Sequence, residues 1–174
     1  MKKFTFQSET WVPRPRSEVF PFFAEARNLQ TLTPPWLKFQ VLTPAPIVLR
    51  AGALIDYRIT IHGLSIRWHT EIAEWDPPHR FVDVQLRGPY SLWHHTHTFE
   101  ERDGGTLCLD RVRYRPRGGA IINWLFVRRD VERIFQYRQR RLKELFGDAP
   151  EFVGSTVHSD VRFTPTPTKT QKPA

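Results

Sequence analysis

The stretch GPYSLWHHTHTFEERDGGTLCLDRVRYR, residues 88–115, sets how this chain folds. Gly88-Pro89 turns the chain, and from Ser91 to Glu101 the side chains alternate in the two-residue rhythm of a strand. Asp103-Gly104-Gly105 supplies the left-handed backbone that a tight hairpin needs, and a second strand runs from Thr106 to Arg115. Residues two apart on a strand share a face. Trp93, His95, His97 and Phe99 therefore look one way, and the two aromatic side chains mark that way as the interior. His94 falls on the other face with Leu92 and Thr96. On the second strand Asp110 shares a face with Val112 and Tyr114.

More strands precede this hairpin. Arg80 to Arg87 is one, with Phe81, Asp83, Gln85 and Arg87 on one face, entered through the turn Asp76-Pro77-Pro78-His79. Ser65 to Trp75 carries Ile66, Trp68, Thr70 and Ile72 on one face, and Gly63 joins it to a strand from Ala53 to His62. Leu37 to Leu42 is read as a further strand. At the start, Phe4 and Phe6 alternate with Lys3, Thr5 and Gln7 in a strand that leads to Trp11 and Val12 and ends at Pro13 and Pro15. Ser17 is the expected N-cap of a short helix bearing Val19, Phe20, Phe22 and Phe23. A second helical turn holds Leu29 and Leu32, and Pro34-Pro35 stops it.

The last element has a different period. From Ala120 to Phe146, Trp124, Val127, Val131, Ile134, Phe135, Leu142, Leu145 and Phe146 recur at three and four residues, the pattern of a long amphipathic helix with Trp124 and Phe135 in its core face. Arg128, Arg129, Arg133, Arg140 and Lys143 occupy the other face. The predicted fold is α+β: a curved antiparallel sheet of six to seven strands wrapped around a long C-terminal helix, with two short helices after the first strand. A cavity is expected between sheet and helix.

The 174 residues suit one domain, placed at residues 1–146, and a tail at 147–174. The end of that tail is rich in Pro and Thr and poor in apolar residues, so disorder is expected there, while Glu151 to Phe163 can add an edge strand or dock loosely. No apolar run approaches the roughly 20 residues of a membrane span, and the first residues lack the apolar core of a secretory signal. Cys108 is the only cysteine, which excludes an internal disulfide or a thiolate metal cluster and suits a reducing cytoplasm. The chain carries a net +8, yet residues 111–143 hold eleven basic side chains against only Asp130 and Glu132. That stretch reads as the solvated face of an arginine-rich helix or as a contact for an anionic surface. Dinucleotide-binding, Walker-type and nucleophile-elbow glycine patterns are absent.

Several blocks together carry a family resemblance. They are Pro13-Arg14-Pro15-Arg16-Ser17-Glu18-Val19-Phe20, Trp75-Asp76-Pro77-Pro78-His79-Arg80-Phe81, the Trp93 to Glu100 run, and Gly105-Thr106 with Asp110-Arg111-Val112-Arg113-Tyr114. In this order, over roughly residues 3–146, the sequence resembles the START-like or SRPBCC superfamily, which includes polyketide cyclases and dehydrases, coenzyme-Q-binding proteins and birch-pollen-allergen-like proteins. The resemblance implies a helix-grip fold and a ligand cavity. It implies no single activity, because one scaffold of this kind serves binding, transfer and several chemistries.

Three neighbouring strands bring a polar patch to the interior: Asp83, Gln85, His95, His97, Asp110 and Tyr114. One reading is a hydrogen-bonded network that shapes the cavity and orients a ligand. The other is general acid–base work, with His95 or His97 moving protons, Asp83 or Asp110 fixing the ring, and Tyr114 polarising a carbonyl. Tyr57, Trp68 and Trp93 are expected to line the cavity and Trp36 to sit near its mouth. His95 and His97 also form a His-x-His pair to which Asp83 or Asp110 could add a third metal ligand. No second, independently spaced ligand set accompanies them, so neither metal nor cofactor is expected.

The expected function is binding of a small hydrophobic or aromatic molecule. The alternative is a cyclase/dehydrase-type enzyme using a His/Asp pair. A third reading sets the basic helix against an anionic membrane or nucleic acid, with nucleic acid the less expected partner and no stable membrane insertion.

Overall fold

The computed structural model describes residues 2–147 and 162–165. Its strands are β1 (Phe4–Val12), β2 (Gln40–Val41), β3 (Leu54–Ile61), β4 (Leu64–Asp76), β5 (Arg80–Arg87), β6 (Tyr90–Arg102), β7 (Gly105–Pro116) and β8 (Arg162–Pro165). Two short helices, α1 (Arg16–Ala24) and α2 (Asn28–Thr31), follow β1. Gly119–Ile122 (α3), a π-helical turn at Asn123–Val127 and Arg128–Phe146 (α4) run on as one helical segment.

Strands β2 to β7 pair antiparallel in chain order, and β1 closes the series against β7, giving the sheet order β2-β3-β4-β5-β6-β7-β1-β8. Register shifts in the β4–β5 and β6–β7 pairings mark bulges, which add twist and bend a sheet. The apolar faces of sheet and α4 meet in two clusters. One gathers Val12, Phe20, Phe23, Phe99 and Leu142, the other Phe6, Trp68, Val112, Val131 and Phe135. This is the α+β helix-grip architecture. Gly147 ends α4 at φ 98° and donates its N–H to the Lys143 carbonyl at 2.8 Å.

Several local expectations are corrected. The strand predicted at Leu37 to Leu42 is a 3₁₀ turn at Pro35–Leu37 followed by the two-residue β2, because Pro34-Pro35 favours the turn and leaves little chain to pair. The N-cap of α1 is Pro15 rather than Ser17, with no side-chain cap. The expected curved sheet of β1 to β7 is present, and a short eighth strand, β8, begins within the Glu151 to Phe163 stretch that was read as able to add an edge strand. β8 pairs along the outer edge of β1, so Thr164 and Pro165, placed by composition in a disordered segment, form a strand where that edge offers open backbone groups. The rest of the tail at 148–174 lies outside the described residues.

Trp124 is 73% exposed instead of core. The π-helical turn adds a residue to the helix and shifts its phase by about 100°, so buried Asn123 takes the inward position. No helix among the described residues is long and apolar enough to cross a membrane.

Candidate functional site

Strand register builds the site. Asp83 on β5 pairs with His95 on β6, and His97 on β6 pairs with Asp110 on β7. Two-residue alternation then puts all four side chains on the concave face as adjacent corners of a square. His97 Nε2–H donates to Asp83 Oδ2 at 2.9 Å, and His95 Nε2–H donates to Asp110 Oδ1 at 2.9 Å. The remaining ring nitrogens cross over: His97 Nδ1 lies 3.0 Å from Asp110 Oδ1 and His95 Nδ1 lies 3.4 Å from Asp83 Oδ2. The two rings are 3.8 Å apart between centroids, with the Phe81 ring stacked on His97 at 4.1 Å and the edge of Phe135 toward His95 at 5.5 Å.

Arg138 of α4 closes the square. Its Nε is 3.3 Å from Asp110 Oδ2 and its Nη2 is 3.3 Å from His97 Nδ1, while the guanidinium lies over Phe23. The side chain is buried, 6% exposed. Sequence reading missed it. The available signal was position: Arg138 stands seven residues after Val131 and four before Leu142, within the inward stripe of α4.

The electrostatics follow from this packing. Burial pushes the Asp110 carboxyl up, but Arg138 and the hydrogen bonds from both histidines outweigh it and hold the group well below the usual carboxylate range. Asp83 is opposed by burial too, yet His95 and the His97 hydrogen bond keep it below its ordinary value. Burial and the neighbouring His97 lower His95, which favours its neutral form. Burial also acts against His97, but its bonds to Asp110 and Asp83 prevail and raise it above the ordinary histidine value. The Arg138 guanidinium and His97, whose proton affinity is raised, then face two carboxylates, Asp83 and Asp110. Buried charge persists only when it is compensated in this way.

Three corners of the square, with Arg138, form one wall of a cavity of about 180 Å³ between sheet and α4. Asp83, His95, His97 and Arg138 are on its surface, and Tyr57, Trp68, Trp93, Ile59 and Phe135 belong to its apolar walls. The Tyr57 hydroxyl accepts a hydrogen bond from Thr70, and burial raises its pKa well above the ordinary tyrosine value. Trp68 is buried beside the cavity with no hydrogen-bond partner for its Nε1–H.

Four expected site residues fall elsewhere. Asp110 is behind the histidines, where it orients both rings without reaching the cavity surface. Gln85 donates to the Tyr90 carbonyl at 2.6 Å and accepts from the Tyr90 N–H at 3.2 Å, so it braces the Gly88-Pro89 turn. Tyr114 is inaccessible to solvent, packed among Phe4, Tyr90 and Trp93 and away from the cavity surface, so it cannot polarise a bound carbonyl there. Trp36 is half exposed and lines a neighbouring groove of about 580 Å³, with Arg133 over its ring and Tyr137 at its edge. Cys108 is buried in the core with its thiol pushed up to about 12, chiefly by burial.

Asp83, His95 and His97 also present ligand atoms within 4.8 Å of one another, a two-histidine, one-carboxylate set that divalent transition metals accept. The adjacent Arg138 charge and the ring hydrogen bonds oppose a cation there. The arrangement by itself can hold a proton between His97 and Asp83 at the cavity surface and present it to a bound acceptor.

No curated protein matches the sequence. Solved structures share the fold. A Mycobacterium smegmatis protein, Ms6760, has 21% identity and a TM-score of 0.62 over 81% of this chain and 89% of its own. CV1439 from Chromobacterium violaceum has 15% identity and a TM-score of 0.64 over 83% and 99%. The ginseng major latex-like protein 151 from Panax ginseng has 8% identity and a TM-score of 0.60 over 84% and 99%. The family model described as polyketide cyclase/dehydrase and lipid transport matches residues 12–140, so with its curved sheet, gripped helix and inward-facing polar square the chain belongs to that family.

Proposed function

We propose that the protein binds a small apolar or aromatic molecule in the cavity between sheet and α4, and that the His97–Asp83 pair holds the ligand's one polar atom. The observation that carries this reading is the segregation of the cavity wall: aromatic and aliphatic side chains on most of it, and the buried charges gathered at one spot. That is the composition of sites that take an apolar body and fix its orientation. Size narrows the class. A dry protein cavity of about 150 Å³ accepts a single benzene ring, so about 180 Å³ favours a ligand of one or two rings over a long acyl chain. The unmet Trp68 donor offers a second contact to an oxygen of such a ligand.

The test is native mass spectrometry of the purified chain, repeated after denaturing extraction, with a thermal-shift panel of one- and two-ring phenols and ketones. A stoichiometric apolar compound lost on denaturation, or a panel member that raises the melting temperature of the wild type but not of Trp68→Phe or His97→Gln, supports the reading. An empty protein that no panel member stabilises overturns it.

One observation favours a second reading, proton transfer to a bound enol or carbonyl. His97, whose pKa is raised by its bonds to Asp110 and Asp83, meets Asp83 at 2.9 Å at the cavity surface. A His97→Gln variant that still binds a panel ketone but no longer exchanges its α-protons for deuterium would move the protein from carrier to enzyme.

A further inference from the structure

The other end of the last helical segment has a surface that the cavity does not explain. Five of the six residues from Ile121 to Phe126 are large, exposed apolar side chains: Ile121 at 71%, Trp124 at 73%, Phe126 at 50%, Leu125 at 44% and Ile122 at 37%. Asn123 alone is buried. The positive φ angles of Gly118 and Gly119 turn the chain out of β7 just before this segment. The patch continues onto the β3–β4 turn, where Leu64 is also exposed and where the Phe126 ring meets His62 at 6.0 Å. A contiguous apolar surface of this kind marks a contact site, unlike single exposed side chains scattered over a protein.

Charge says what covers it. Arg117 and Arg129 are exposed next to this segment, as are Arg128, paired with Glu132, and Arg133, whose guanidinium lies over the Trp36 ring. The nearby acids are already engaged, Asp130 by His62 at 2.7 Å and Glu132 by Arg128 at 3.4 Å. We propose that this end docks on an anionic lipid bilayer, with Ile121, Trp124, Leu125 and Phe126 entering the boundary between headgroups and acyl chains and the arginines meeting lipid phosphates. Tryptophan, phenylalanine and leucine beside arginine are the composition of a helix lying in that boundary, where the apolar faces leave water and the guanidinium groups stay at phosphate level.

Other occupants fit less well. A second copy would bring the same arginines face to face across a two-fold axis. Nucleic acid would engage the arginines and the aromatic rings but leave aliphatic Ile121 and Leu125 against phosphates with nothing gained. The 580 Å³ groove opens between Ile122 and Phe126 on one side and His62 and Gly63 on the other, and it shares Leu37, Ile61, Tyr90 and Ile134 with the cavity wall. Docking therefore sets that groove against lipid.

The test is co-sedimentation of the full chain with vesicles of phosphatidylcholine alone or mixed with phosphatidylglycerol, at low and at physiological salt. Binding is expected to the anionic vesicles, weaker at higher salt. It should weaken on the order of tenfold in Trp124→Ser/Phe126→Ser and about 25-fold in Arg117→Gln/Arg129→Gln, at about fivefold per arginine removed. Trp124→Phe should keep the binding but lose the vesicle-induced blue shift of tryptophan fluorescence. All these side chains are exposed, and unchanged thermal unfolding confirms intact folding. Absence of binding to anionic vesicles at low salt overturns the proposal, as does binding indifferent to the double apolar substitution. A concentration-dependent dimer lost in Trp124→Ser/Phe126→Ser would overturn it in favour of a second copy, and duplex DNA binding without vesicle binding would overturn it in favour of nucleic acid. The cavity's ligand content, measured on the same samples, reports separately on the binding function.

Discussion

Arg138 and Trp124 stand on one continuous helical segment, and each occupies the environment its own chemistry disfavours: the arginine is buried and the tryptophan is in water. The difference lies in what faces them. Along α4 the concave sheet supplies a surface at every turn, and at Arg138 that surface is Asp110 and His97, which compensate its charge. At Trp124 the π-helical turn has moved the side chain away from the sheet, and buried Asn123 stands in the inward position instead. Partners decide where a side chain goes more strongly than its hydropathy does, provided the partners are specific enough to offset desolvation.

The contrast is tested hardest by Arg138→Met. It removes a buried cation and leaves Asp110 and Asp83 with one compensating charge fewer, so stability should fall by about 3–5 kcal/mol, read as a lower urea midpoint. A loss below about 1 kcal/mol would show that the square does not need its arginine.

The next effect is in the pH dependence. His97 is raised above the ordinary histidine value by Asp110 and Asp83, so the stability it contributes is fully present below about pH 6.5 and is lost as pH rises through its folded pKa, with a slope of at most about 1.4 kcal/mol per pH unit. Lowered His95 acts in the opposite sense, adding stability above about pH 6.5 that is lost as pH falls. Urea titrations should therefore show the decline above neutrality disappear in His97→Gln and become steeper relative to the acid side in His95→Gln. Both variants should keep the acid-limb loss below about pH 4 that the depressed Asp83 and Asp110 cause, since those carboxylates lose their stabilising charge as pH falls.

Gln85→Ala removes the two bonds that close the turn before β6 and should cost about 1 kcal/mol without changing ligand affinity. A large affinity change with stability intact would return Gln85 to the cavity. At the low end, Trp124→Ser should alter stability by no more than about 0.5 kcal/mol in chemical denaturation, because the side chain packs against little. A larger loss would mean that the exposed tip is structural.

Much of the fold was legible. Phe81 and Asp83, Trp93 to Phe99, and Asp110 to Tyr114 announced their faces by two-residue alternation, and Asp103-Gly104-Gly105 set the hairpin that aligns His97 with Asp110. The inward-facing square of two histidines and two aspartates follows from those local signals. Alternation also groups Gln85 and Tyr114 with that face, but a face does not tell how deep a side chain lies or which atom it meets.

Periodicity and turn chemistry are properties of neighbours along the chain, and they were enough to establish the alternating strands, the long helix and the set of polar residues facing inward. Three outcomes had to wait for the packed molecule. Asp110 stands behind the histidines while Asp83 meets the cavity, Arg138 completes the charge balance, and Trp124 points to solvent. Those outcomes depend on sheet curvature, on the phase of a helix interrupted by one π turn, and on charges brought together from elements 41 residues apart. No local pattern encodes distances across that gap.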